Sequence, residues 1–191
     1  MLAAARELMI ERGNEDFTLQ EVSQRGQVSI GSIYLRFESK DNLVRAVLAN
    51  GLQALSDNES AMITDLGRQC RNLSEFVPRY VEAYAEVLRI NAPLLRLAMA
   101  RAEIDPLVSS PGKEAAEIAV RQSTSALLRY VDEFGGSDHE LRASSAHHII
   151  FATLARQLSL GSTSESVTVY DWDLLKRELS RMCLAYLRYQ S

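Results

Sequence analysis

Apolar residues recur along this 191-residue chain at three- and four-residue spacing, and nearly every proline and glycine falls in a gap between those runs. No alternating stretch argues for a strand, so the chain reads as a succession of helices. The first helix is predicted over about Met1–Arg12, with Leu2, Ala5, Leu8 and Met9 on one face and Gly13 as the C′ stop. After a loop over Asn14–Phe17, Thr18 N-caps a second helix and Glu21 holds the capping-box position three residues on. Gly26-Gln27-Val28 is a tight connection, Ser29 caps a short third helix, and Ser39 caps a fourth that starts at Lys40-Asp41 and carries Leu43, Val44, Val47, Leu48 and Leu52.

Beyond about Leu55 the predicted helices lengthen. One spans Glu59–Cys70. A second begins near Ser74, carries Phe76, Tyr80, Val81, Tyr84, Val87 and Leu88, and is interrupted by Pro93. A third holds Leu94 to Ile104. Asp105-Pro106 and Ser109-Ser110-Pro111-Gly112 mark a loop, Lys113–Phe134 is a long helix closed by Gly135-Gly136, and Asp138 caps a helix to about Leu160. Gly161–Val169 reads as a flexible Ser/Thr-rich loop, and Asp171 caps a last helix ending near Tyr189.

Composition narrows the class. With 47 % hydrophobic and 24 % charged residues the chain is an ordinary globular one, long enough to bury a sizeable core. The net charge of −4 argues against a protein that coats nucleic acid indiscriminately, but leaves room for a small, local DNA-reading surface. Cys70 and Cys183 lack metal-ligand spacing and read as small hydrophobes. No run approaches the roughly 18 apolar residues of a membrane helix, and no signal-peptide pattern opens the chain, so a reducing cytoplasm is the expectation.

The informative stretch is Thr18–Lys40, TLQEVSQRGQVSIGSIYLRFESK. Two short helices joined by a turn containing Gly26 make a helix-turn-helix. Val22 and Val28 are apolar and set the angle between them. Ile33 and Phe37, four apart, share the face that anchors the third helix. Ile30, Gly31, Ser32, Tyr34, Leu35 and Arg36 are left outward, a mix of small, aromatic and basic groups that suits a major groove. Ser29, Tyr34 and Lys40 are phosphate donors that fix register.

The pattern Leu2-x-x-Ala5-x-x-Leu8, Gly13, Thr18, Val22-Ser23, Gly26-x-Val28-Ser29-x-Gly31-x-Ile33-Tyr34-x-x-Phe37-x-x-Lys40-x-x-Leu43 resembles the DNA-binding domain of the TetR family of repressors, over about the first 50 residues. The resemblance implies an all-α fold: an N-terminal three-helix helix-turn-helix domain, residues 1–48, joined to a C-terminal antiparallel helical bundle, residues 49–191, for ligand binding and dimerisation. It implies a homodimer on double-stranded DNA with a pseudo-palindromic operator, released by a small-molecule effector, without cofactor or metal. By motif position the DNA contacts are Thr18, Leu19, Ser29, Ile30, Gly31, Ser32, Tyr34, Leu35, Arg36 and Lys40. The sequence departs from the family where Ile30 replaces a common Lys and Leu35 a common aromatic or polar residue, and the chain starts almost inside the first helix, where the family often has basic residues ahead of it. The six Lys/Arg and seven Asp/Glu of residues 1–45 imply a shallow salt dependence of binding.

Tyr80, Tyr84, Met99, His147 and Phe151 are the candidate effector-pocket residues, although aromatics and Met at helical spacing also simply pack a core. Arg101, Glu103 and His147, polar among apolar neighbours, point the same way. His147 and His148, adjacent on a helix, diverge by about 100° and do not make a metal pair. The small residues Ala143, Ser144, Ser145, Ala146, Ala152 and Ala155 and the apolar stripe Leu174, Leu175, Leu179, Met182, Leu187 mark the two last helices as the dimer surface. No nucleophile–base set, metal cluster or phosphate loop suggests an enzyme. The alternative is a protein-interaction or ligand-carrier module of the same fold that does not bind DNA.

Overall fold

The computed structural model describes residues 1–160 and 170–190; the loop expected over Gly161–Val169 lies outside them. The described residues form eight α-helices and one short 3₁₀ turn, with no strand. They are α1 (Leu2–Arg12), α2 (Leu19–Arg25), α3 (Ile30–Phe37), α4 (Lys40–Gln69), α5 (Leu73–Ala102), α6 (Pro106–Leu128), α7 (His139–Gln157) and α8 (Trp172–Arg188), with the turn at Val131–Glu133. None of them is long and apolar enough to cross a membrane.

The first two helix ends form as their sequence signals dictate. Gly13 closes α1 with a left-handed φ of 66°. Thr18 and Glu21 make a reciprocal capping box on α2. Five expectations are corrected. The helix expected over Lys113–Phe134 ends at Leu128, and only a 3₁₀ turn at Val131–Glu133 stands between it and Gly135. The helix expected to end near Leu55 and the one expected at Glu59–Cys70 are a single helix, α4: no proline or glycine lies between Gln53 and Cys70 except Gly67, and Leu55 and Glu59 are both buried. Pro93 does not interrupt α5; one backbone bond is lost there, and the burial of Ala92, Leu94 and Leu95 on either side outweighs it. Asp105-Pro106 begins a helix instead of a loop. Asp105 Oδ1 accepts from Leu107 N at 3.1 Å, Pro106 occupies the first helical position where its missing N–H is harmless, and α6 continues through Pro111 to Leu128. Asp138 stands before α7 but does not cap it, because its φ of 58° is left-handed rather than extended and its side chain makes no cap bond.

Two compact units result. The first comprises residues 1–54 and 93–113. Its core joins Ala5, Leu8, Met9 and Phe17 to Val22, Ile33, Phe37, Leu43 and Leu48, and completes them with Leu94, Leu97, Ala98 and Val108. Gly51 lets Leu94 in: a Cβ there would meet Leu94 Cδ2 at 2.0 Å. Arg101 braces this unit, reaching Glu15 (2.9 Å), Asp41 (3.1 Å) and the buried Asp105 (3.0 Å), which also accepts from Arg45 at 2.8 Å. These bonds hold the Asp105 carboxyl below the usual carboxylate range, Arg45 contributing most.

The second unit comprises residues 55–92 and 114–191. Its spine is an aromatic stack on α5, Phe76 over Tyr80 at 5.6 Å and Tyr80 over Tyr84 at 5.5 Å. α7 packs on α8, and Lys176 of α8 is held by Glu82 (2.6 Å) and Asp173 (3.0 Å). The end of α8 docks on Gly135, whose N–H donates to the Leu187 carbonyl at 2.8 Å. A Cβ at Gly135 would stand 2.4 Å from both the Arg188 and the Tyr189 carbonyl oxygens. Both obstacles are backbone, so Gly135→Ala is expected to push the C-terminal turn away and lower stability by about 1–3 kcal/mol. A thermal melt followed by circular dichroism checks this; an unchanged melting temperature would contradict the packing.

Candidate nucleic-acid interface and interior polar cluster

The helix-turn-helix is α2, the turn and α3. Ser23 clips the turn, its hydroxyl donating to the Val28 carbonyl at 2.6 Å. Gly26 and Gln27 divide the labour. A Cβ on Gly26 would lie 2.9 Å from the Val22 carbonyl oxygen and 3.4 Å from Ala4 Cβ, so its lack of a side chain allows the close approach. Gln27 takes the left-handed backbone, φ 50°. The sequence carries no signal for that, since Gln has no preference for the region.

Ser29 then caps α3. Its Oγ accepts from Ser32 N at 3.0 Å and lies 2.7 Å from Ser32 Oγ. One of the two hydroxyl protons is used between them, and the other remains for an outside acceptor. Ile33 (0 % exposed) and Phe37 (8 %) seat the helix on the core. Ile30, Gly31, Ser32, Tyr34, Leu35 and Arg36 face solvent together, Leu35 most of all at 91 %. A Cβ on Gly31 would meet nothing closer than Ser29 Oγ at 3.9 Å, so the fold itself does not demand glycine there. Arg36 lies over the Phe37 ring at 5.6 Å and Lys40 Nζ over the Phe17 ring at 4.8 Å. Thr18 is exposed and Leu19 half-buried at the start of α2.

The charges sort into two sets. Arg12 pairs with Glu21, Arg25 with Glu11, and Arg45 with Asp105. Arg6, Arg36 and Lys40 have no carboxylate partner among the described residues. Only the second set is available to a polyanion without breaking an internal pair. Arg6, exposed on α1, lies outside the motif positions, and only the pairing pattern distinguishes it from Arg12.

In the second unit, Tyr80, Tyr84 and His147 come together. Tyr80 Oη lies 2.8 Å from Ser123 Oγ and 3.0 Å from His147 Nδ1, and the Tyr84 and His147 rings are 5.6 Å apart. Burial, with His148 adding repulsion, pushes His147 down to about 4, so its ring is neutral at pH 7. Tyr80 Oη stands between Ser123 Oγ and His147 Nδ1, and which of the three groups donates follows the histidine's tautomer. Phe151 is half-buried on α7, and Met99 belongs to the first unit. Three buried polar residues of the second unit lie outside the sequence expectation: Glu59 of α4 and Ser123 and Thr124 of α6. A carboxylate at a core position of the α4 heptad pattern is the signal that could have found Glu59. An open groove in the same unit, lined by Ser60, Thr64, Arg68, Gln122 and Arg129 among others, is basic and contains none of these residues.

Residues 1–47 match the family described as bacterial regulatory proteins, tetR family. A search of curated proteins returned no match. Among solved structures, the chain resembles a TetR-family protein from Mesorhizobium loti assigned as a transcriptional regulator, with a TM-score of 0.73 at 20 % identity over 97 % of this chain and 90 % of that one. It also resembles the TetR-family transcriptional regulator PfmR from Thermus thermophilus (TM-score 0.63, 16 % identity, 100 % and 98 % covered). A third is a protein from Saccharomonospora viridis, assigned as a transcriptional regulator and solved in complex with choline (TM-score 0.70, 16 % identity, 95 % and 92 % covered). At these identities the likeness is one of fold, and it spans both units.

Proposed function

We propose that this protein is a TetR-family transcriptional regulator, a DNA-binding repressor that a small-molecule effector releases from its operator. The observation that carries the reading is α3: a helix seated by Ile33 and Phe37 that presents Ile30, Gly31, Ser32, Tyr34, Leu35 and Arg36 to solvent, inside the segment matching the tetR family. Arg36 reads bases; Thr18, Leu19, Ser29 and Lys40 hold phosphate and register. The DNA-binding part is residues 1–48, and residues 49–191 bind the effector and dimerise, in the cytoplasm.

The dimer surface is the outer side of α7 and α8, where Leu141, Ile149, Met182 and Tyr186 remain exposed although the two helices pack on each other. A two-fold dimer sets two α3 helices about 34–36 Å apart on a pseudo-palindromic operator. The effector pocket lies in the second unit and includes Tyr80, Tyr84, His147 and Phe151. Its ligand acts by preferring a conformer whose α3 helices are wrongly spaced, and it shifts the equilibrium only by that preference. α4, unbroken from Lys40 to Gln69, is the lever.

One observation favours the alternative, an interaction module that does not bind DNA: half the basic residues of positions 1–45 are paired internally, and Leu35 is apolar and outward. A gel shift against the DNA upstream of the protein's own gene separates the two. Arg36→Ala is expected to weaken specific binding by about 1–3 kcal/mol and to change stability by less than about 0.5 kcal/mol. Unchanged affinity would remove Arg36 from the contacts; absence of any shift for the unaltered protein would favour the alternative.

A further inference from the structure

Two buried side chains of the second unit have polar atoms without a partner among the described residues. Glu59 is 6 % exposed and takes part in no hydrogen bond or ion pair there. Thr124 is 8 % exposed and its Oγ1 is unbonded. Thr124 is the next residue after Ser123 on α6, and the charge of Glu59 acts on the Tyr80 and Tyr84 hydroxyls. A buried carboxylate without a counter-ion is costly, and proteins usually pair it. Here the cation is missing: Lys176 is taken by Glu82 and Asp173, and Arg129 bonds the Gly67 carbonyl at 2.8 Å.

The chemistry of the gap is specific. A carboxylate repels an anion. A metal ion needs more ligands than one carboxylate and a hydroxyl, and no group of three His, Cys, Asp or Glu among the described residues offers them. An organic ammonium meets every group present. Its charge answers Glu59, and its N–H groups suit a carboxylate and a hydroxyl oxygen such as those of Glu59 and Thr124. We propose that the second unit binds a protonated amine, with Glu59 as its counter-ion and Thr124 as a second acceptor. This rests on the effector role proposed for the Tyr80, Tyr84 and His147 region, and assigns its ligand class.

The test is calorimetric titration of the whole protein, without DNA, using n-butylamine, n-hexylamine, phenethylamine and putrescine at pH 7.5, each beside the alcohol of the same skeleton. At least one amine is expected to bind at least tenfold tighter than its alcohol. Glu59→Gln should weaken that amine roughly ten- to a hundred-fold, the range for a charge-assisted bond, and Thr124→Val should weaken it several-fold. If no amine exceeds its alcohol, or if Glu59→Gln binds the amine as tightly as the unaltered protein, the proposal is overturned. Glu59→Gln keeps shape and hydrogen-bonding capacity, and a melting curve run beside the titration checks that it folds. A failed gel shift leaves this outcome untouched, and a protein that shifts DNA but ignores amines refutes the ligand class alone.

Discussion

Ile33→Ala is expected to abolish specific DNA binding and to lower stability by about 2–5 kcal/mol, while Leu35→Ala, two residues along the same helix, changes stability by less than about 0.5 kcal/mol. Ile33 is fully buried among Leu8, Val22, Phe37 and the α4 residues of the first unit, so truncation leaves a cavity under α3. Leu35 is 91 % exposed and loses nothing within the chain. A helix of eight residues has almost no stability of its own and depends on that seat. Urea melts followed by circular dichroism, with gel shifts on the same samples, check both arms. Equal melts for the two variants would mean that α3 is not held through Ile33.

The second large effect is in pH. Burial raises the Glu59 carboxyl to about 7, against an ordinary value of 4.5. The folded protein then binds more protons than the unfolded chain between those values, so Glu59 costs stability as pH rises from 4.5 through 7, about 3 kcal/mol in all. His147, lowered from 6.5 to about 4, does the reverse. The unfolded chain binds the extra proton, so the neutral ring's contribution is complete above 6.5 and is lost as pH falls toward 4. Between 4.5 and 6.5 the two slopes oppose each other. Glu59→Gln should unmask His147: stability rising from pH 4 to 6.5 and exceeding the unaltered protein by about 3 kcal/mol at pH 8. His147→Asn should unmask Glu59: stability falling from pH 4.5 to 7. Melting temperatures across pH 4–8 test this. Parallel profiles for all three proteins would mean that neither group titrates in the interior.

What is legible in the sequence divides along the range of the interactions. The capping box of Thr18 and Glu21, the Gly13 stop and the buried pair Ile33 and Phe37 depend on residues within four positions of each other, and all form as read. Pro93 misleads because the deciding force is burial on its flanks, which no local rule sees. Asp105-Pro106 carries two meanings: the same dipeptide that breaks one helix caps and starts the next. The Arg101 brace shows in the sequence only as polarity out of place, because Glu15 and Asp41 are distant along the chain. Among the buried polar residues of the second unit, Tyr80, Tyr84 and His147 stand out by their chemistry; Glu59 shows only once α4 is read as one continuous helix that puts it at a core position, and Thr124 does not, since a hydroxyl on a helix ordinarily faces water.

The first unit's core waits for Leu94, Leu97, Ala98 and Val108, which arrive long after Ala54. On the ribosome, therefore, α1 to α3 emerge well before the residues that complete their packing. At about 5–20 residues per second, translation needs several seconds to travel from Ala54 to Lys113. Through that interval the nascent first unit lacks the cover that Leu94, Leu97, Ala98 and Val108 bring, and the apolar residues of α1 to α3 and of the start of α4 are a surface for chaperones to cover and for proteases to find.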